Sequence, residues 1–259
     1  MSLPALALTL VRALPVSPAV LLARLAVLAY LLFSRSARVE TGRNHRILFG
    51  RERVFFWVEN GWQVGRNLAL MARQDGRQGQ FLIDKAEVSG DNQIQQSMEQ
   101  LLHMTMASFH FGAWEFLPAV FRARGHLVAL AVGRQADRAF DRRLRGTRTR
   151  PGVRLIRGAA ELVAGRSGLV GFMLDNTSRG RMVLAEADGV RMRMPGPAFR
   201  LAGRTGVVPL FCSFERGRLR VRVYPAGDAG HALRCLLAEV RRRPADWVFW
   251  GKAGALEAA

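Results

Sequence analysis

The chain is poor in cysteine and lysine, and each shortage narrows what it can be. Cys212 and Cys235 are its only cysteines. No C-x-x-C pair occurs, so neither a zinc ribbon nor a dithiol redox motif is available, and no metal or other cofactor is expected. Cys212 sits in an apolar run and Cys235 in a helical pattern, which reads as two buried thiols of a reducing compartment. Serine-nucleophile chemistry of the α/β-hydrolase kind is excluded as well: there is no G-x-S-x-G, and Gly165-Arg166-Ser167-Gly168 lacks the final glycine. Lys85 and Lys252 are the only lysines, so the net charge of +19 is carried almost wholly by arginine. That balance points to an anionic partner: nucleic acid, an anionic membrane surface or an acidic protein. No zinc-ligand spacing, RNA-binding aromatic signature or basic zipper accompanies the arginines, so nucleic acid is not expected.

What is abundant is apolar sequence at the N-terminus. Residues 3–33 are nearly all apolar, interrupted by Arg12, Arg24, Pro15 and Pro18. No positive segment precedes the stretch, which argues against a secretory signal peptide. Ala13 to Phe33 is long enough to cross a hydrocarbon core, but a spanning helix must pull Arg24 toward a headgroup or a cavity, at about 2.5–3.5 kcal/mol. An interfacial or re-entrant helix needs only one apolar face and avoids that cost. Arg35, Arg38, Arg43 and Arg46 follow at once, so a span leaves the remainder on the cytoplasmic side. Residues 1–34 are expected to be a hydrophobic membrane anchor, a single span ahead of an interfacial seat. Residues 35–259 are expected to form one domain at the inner (cytoplasmic) membrane.

At 259 residues the chain suits one α/β domain plus a short accessory segment. The pattern predicts a helix over 49–75, short strands at Phe81–Ile83 and Ala86–Val88, and a helix from Gly90 to Leu102. Strands at 104–109, 127–132, 153–156 and 168–174 then alternate with helices at 113–124, 136–146 and 158–166. Such a rhythm predicts a mostly parallel or mixed central sheet flanked by helices. Pro195-Gly196-Pro197 opens a helix to Ala202, and Val207–Phe214 pairs with Leu219–Val223 in a hairpin about Arg216-Gly217. Asp228 to Arg242 is an amphipathic helix, and Trp247 to Trp250 is an apolar cap.

One segment carries chemistry: Ser108-Phe109-His110-Phe111-Gly112-Ala113-Trp114-Glu115. It places an imidazole and a carboxylate five residues apart where an apolar run meets a helical pattern. A histidine leaving a buried strand, with an acid in the next helix, can form a base–orienter pair. Glu115 would hold one ring nitrogen and leave the other free to take a proton from an alcohol. Spacing alone is weak evidence, and a histidine packed at a strand end beside a solvated glutamate is the ordinary alternative. His45, His103, His126 and His231 all lack an acid at that offset. Gly112 allows close backbone approach, and Trp114 supplies a wall beside the pair.

The S-x-H-F-G-x-W-E stretch at 108–115 resembles the H-x4-[DE] motif of the glycerolipid-type acyltransferases, and most closely their lipid A biosynthesis (lauroyl/myristoyl-type) branch. Further matches run from the anchor onward. Arg134 resembles the arginine that follows the family's second core strand, and Asp175 its acid at a later strand end. Gly196 to Ala202 with Thr205-Gly206-Val207-Val208-Pro209 fits its G-x-A-x-L-A … T-G-x-x-V-P stretch. Trp247 to Trp250 with Lys252 is similar to its closing segment. The chain departs at Ala187-Asp188-Gly189, where the lipid A enzymes tend to carry Phe-Phe-Gly.

The resemblance implies a glycerol-3-phosphate acyltransferase-like fold preceded by a hydrophobic helix. It implies transfer of an acyl chain from acyl-carrier protein or coenzyme A to a hydroxyl of a lipid acceptor. His110 and Glu115 would be catalytic, and Arg134, Gly112 and Asp175 would bind substrate. The acceptor stays open between a lipid A-type or related envelope glycolipid and a lysophospholipid or aminolipid. A non-catalytic, basic membrane-surface binding protein is the reading from a different class.

Overall fold

The computed structural model describes residues 3–90, 103–133, 137–149, 151–157, 168–176 and 180–259, with 92, 94 and 96 between the first two stretches. The N-terminal part is helical: α1 (Leu3–Ala13), α2 (Val16–Phe33), α3 (Arg35–Phe49), α4 (Phe56–Met71) and α5 (Arg77–Asp84). The helix expected over 49–75 is thus present but shortened to α4. Gly50 closes α3 in the left-handed region at φ +71°, and α4 starts only at Phe56. Phe81–Ile83 is helical, not a strand. Gly79, Leu82 and Ile83 are buried together at helical spacing while Phe81 points outward, so burial chose the 3.6 period over the apolar run.

α2 packs along α4 in the opposite direction, because Gly65 meets Ala23 and Arg24 while Gly61 meets Leu28 and Leu31. By propensity alone, two glycines inside a helix weaken it. In the fold, Gly61, Gly65 and Ala69 are small residues four apart that let α2 lie close. A methyl group on Gly65 would sit 2.5 Å from the Arg24 Cα. Gly65→Ala should therefore destabilise the protein. Overpacking costs about 1–3 kcal/mol, which exceeds the roughly 0.5–1 kcal/mol gained in helix propensity. Calorimetry should show a melting temperature lower by about 2–4 °C per net kcal/mol, and α2 should be cut sooner by protease.

The strands among the described residues form two sheets. The larger has the order β1 (Glu87–Ser89), β9 (Arg218–Val223), β8 (Val208–Glu215), β2 (His103–Ser108), β5 (Gly168–Met173), β3 (Val128–Ala131), β4 (Arg154–Ile156). It is mixed: β8 and β9 are antiparallel, and every other neighbouring pair is parallel. The expected core strands and the hairpin about Arg216-Gly217 are present within a residue or two. Successive side chains point to opposite faces. Met104, Met106, Val128, Leu169 and Leu210 join one hydrophobic cluster, whereas Ala107, Phe109, Ala129, Val170 and Phe211 join the other. The first is covered by α4, α5 and α6 (Leu117–Ala123), the second by α9 (Ala229–Arg242) and the tryptophans of 247–250. The chain is thus an α/β fold with a mixed sheet flanked by helices and an apolar N-terminal helix.

Two further helices among the described residues are α7 (Arg138–Thr149) and α8 (Gly196–Ala202), the latter at the Pro-Gly-Pro turn. A smaller antiparallel sheet, β10 (Glu257–Ala258), β7 (Val190–Pro195) and β6 (Met182–Ala187), was not anticipated. Asp188 and Gly189 lie at φ +51° and +72°, the geometry of a tight hairpin turn. Asp-Gly between alternating residues was the available signal. The helix expected at 158–166 and most of that expected at 90–102 fall outside the described residues.

Candidate active site

Parallel pairing of β2 with β5 builds the site. Ser108 pairs with Met173, and the Leu174 N–H donates to the Ser108 carbonyl at 2.8 Å, so the two strands end side by side. The residues just beyond these C-terminal ends, His110 and Asp175, therefore meet although far apart in sequence. His110 Nδ1 lies 2.8 Å from Asp175 Oδ1. Asp175 Oδ2 accepts from the His110 backbone N–H at 2.9 Å and from the Trp247 indole N–H at 3.1 Å. An ionised carboxylate only accepts, so the imidazole carries its proton on Nδ1 and presents Nε2 as a base. The Asp175 side chain is 1% exposed and that of His110 16%. Nε2 has no hydrogen bond among the described residues. Trp114 and Phe249 wall the ring, with centroids 5.0 and 4.8 Å away.

Glu115 does not hold the ring. Arg148 Nε donates to Glu115 Oε2 at 2.8 Å, and Arg148 Nη2 donates to Oε1. The expected His110–Glu115 hydrogen bond is thus replaced by two contacts, His110–Asp175 and Glu115–Arg148. Glu115 lies in a single 3₁₀ turn, Trp114–Phe116, where α7 brings a guanidinium that can bond both of its oxygens, while Nδ1 is already taken. Burial alone would raise the Glu115 pKa. Arg148, by charge and hydrogen bonding, outweighs it, with His110 adding, and holds the carboxyl below its ordinary range. Arg148 is shifted upward: burial would lower it, but Glu115 overrides that. The buried Trp114 indole N–H helps to lower the Glu115 pKa, yet among the described residues it has no hydrogen-bond partner at normal distance.

Gly112 also has a different role from the one expected. Its N–H donates to the Asp246 carbonyl at 2.8 Å, and the Ala113 N–H donates to the Cys212 carbonyl at 2.7 Å. Neither is free to bind a substrate oxygen. Gly112 sits at φ +58°, and an added methyl would lie 2.2 Å from the Cys212 carbonyl oxygen. It is the turn that carries the chain from His110 to Glu115 past Cys212 of β8. Arg134 lies outside the described residues.

Sequence reasoning missed Arg148 as a site residue, one arginine among many with no local mark. It also gave Asp175 to substrate, where its side chain is bonded to His110 and Trp247. Lys252 donates to the Asp175 backbone carbonyl at 2.7 Å with its Nζ 5.0 Å from the Phe249 ring. Burial lowers its pKa, with Asp175 opposing. Comparison of the chain with protein-family models and with curated proteins finds no match to either.

Proposed function

We propose that this protein is a membrane-associated acyltransferase with a glycerol-3-phosphate acyltransferase-like fold. It moves a fatty acyl chain from the thioester of acyl-carrier protein or coenzyme A to a lipid hydroxyl. The observation that carries this reading is the His110–Asp175 pair at adjacent C-terminal strand ends, the ring walled by two aromatics and its Nε2 unbonded among the described residues. Crevices beyond the carboxyl ends of parallel strands are where open α/β sheets bind ligands. The resemblance of residues 108–115 to the acyltransferase motif, and the basic surface suited to an anionic donor, support the same reading.

In this mechanism His110 Nε2 removes the acceptor hydroxyl proton as that oxygen attacks the thioester carbonyl. Asp175 keeps the tautomer and stabilises the imidazolium. Collapse of the tetrahedral intermediate breaks the carbon–sulfur bond, and the imidazolium returns its proton to the departing thiolate. The Glu115 carboxylate lies near enough to feel the His110 charge, and its pairing with Arg148 fixes the turn that carries Trp114. A lipid A-type or related envelope glycolipid is the favoured acceptor, and a lysophospholipid or aminolipid the alternative. The site would work on the cytoplasmic side of the inner membrane.

The test is release of free thiol by the purified full-length chain, supplied with acyl-carrier-protein or coenzyme A thioesters and a hydroxyl-bearing lipid. Acceptor-dependent thiol release with matching acylated product is expected. No turnover with either donor across the glycolipid and lysophospholipid acceptors would leave only a membrane-surface binding protein. Lipid analysis of a deletion strain separates the acceptors.

A further inference from the structure

Because α2 and α4 run antiparallel, the end of α2 and the start of α4 lie at the same end of the pair. Arg38 confirms the alignment: it donates to the Leu31 carbonyl at 2.7 Å, and its guanidinium lies 5.8 Å from the Trp57 ring. Two sequence-distant apolar groups therefore share one tip. Phe33 is 86% exposed, Phe55 74% and Val54 69%, joined by Tyr30 and Leu32. The outer stripe of α2 (Leu21, Leu22, Leu25) and Val58 and Trp62 of α4 are also exposed. A soluble monomer seldom exposes apolar groups so contiguously.

The charge around this tip is one-sided. From Arg24 through Trp62 there are seven arginines and three glutamates, with no lysine or aspartate. Arg46–Glu52, Arg53–Glu59 and Arg43–Glu40 pair three of the arginines. Exposed Arg35 and Arg51 stand beside the apolar groups. Arg24, the obstacle to a simple span, lies 4.4 Å from the Trp62 ring centroid and donates to the Trp62 carbonyl at 3.3 Å. It is accommodated along α4, so its charge does not have to cross the hydrocarbon.

We infer that α2 and the 54–62 segment together form one membrane seat. α2 lies in the plane of an anionic leaflet on its outer stripe, Val54 and Phe55 enter the hydrocarbon with Phe33, and the arginines meet lipid phosphates. The N-terminal helix is thus half of the anchor. This rests on the membrane association proposed above, but not on acyl transfer.

The test uses full-length protein and vesicles of phosphatidylglycerol and phosphatidylethanolamine. In the double variant V54S/F55S, vesicle partitioning should fall about tenfold or more, and L184S, altering an exposed leucine of β6, should leave it unchanged. Both altered side chains are exposed, so the fold should survive. A spin label on Phe55→Cys reports depth directly, because Cys212 and Cys235 are both buried. Oxygen-accessible, nickel-shielded spectra on vesicles are expected. A label that stays in water while the protein binds vesicles normally would overturn the inference. So would V54S/F55S turning a dimer into a monomer with unchanged partitioning, since the tip would then cover a second copy. Thiol release in detergent micelles, measured in parallel, shows whether acyl transfer stands or falls independently of the seat.

Discussion

His110→Ala is expected to lower acyl transfer by about 10²–10⁴-fold, the usual worth of a positioned general base. The loss should appear in kcat more than in KM, because Nε2 acts on the proton that moves in the transition state. The fold should persist: the Asp175 carboxylate keeps its bonds to the His110 backbone N–H and the Trp247 indole. Asp175→Asn should be comparably damaging, at about 10²–10⁴-fold, since an amide can donate to Nδ1 and stabilise the wrong tautomer. Thiol release and product formation by purified variants, with thermal melts beside them, measure both. Wild-type turnover in His110→Ala would dispose of the mechanism. Wild-type turnover in Asp175→Asn would confine that carboxylate to a structural role.

The Glu115–Arg148 pair should give the largest stability effects. Their side chains are 12% and 17% exposed, so removing one partner leaves a largely buried charge alone. Glu115→Ala or Arg148→Ala should cost about 3–5 kcal/mol. Replacing both with apolar residues of similar size, as in E115L/R148M, should recover most of that loss, since a buried pair is often worth little against well-packed carbon. Activity separates structure from electrostatics. If Glu115 supports the imidazolium by its charge, E115L/R148M stays slow although stable; a stable double variant with wild-type kcat would show that the pair only braces the turn. Acid should reveal the same group. The folded pKa of Glu115 lies below its ordinary 4.5, so its stabilisation is present above that value and is lost as pH falls through the folded pKa. The melting-temperature gap between wild type and Glu115→Gln should therefore narrow below pH 4.5, and a gap that is constant or widens there would contradict the assignment.

Much of the core was legible because it depends on local periodicity. Short apolar runs placed β2, β3 and β5, alternation placed the β8–β9 hairpin, and an amphipathic pattern placed α9. His110 stood out because residue type and neighbours mark a strand-to-turn junction without any knowledge of what lies across it. The short apolar run Phe81–Ile83 was misjudged because three residues cannot separate a period of 2 from one of 3.6.

By itself, then, the sequence determined the α/β alternation, the apolar N-terminus, the arginine-borne charge and the position of one histidine, all properties of stretches a few residues long. Only the tertiary structure decided which carboxylate that histidine holds. Sequence offered Glu115, five positions away, but the parallel register of β2 and β5 delivered Asp175 to Nδ1 and α7 delivered Arg148 to Glu115. It likewise decided that Gly61 and Gly65 are a contact surface and that Phe33 and Phe55 share a tip, because the helix or strand across the contact determines which residues meet.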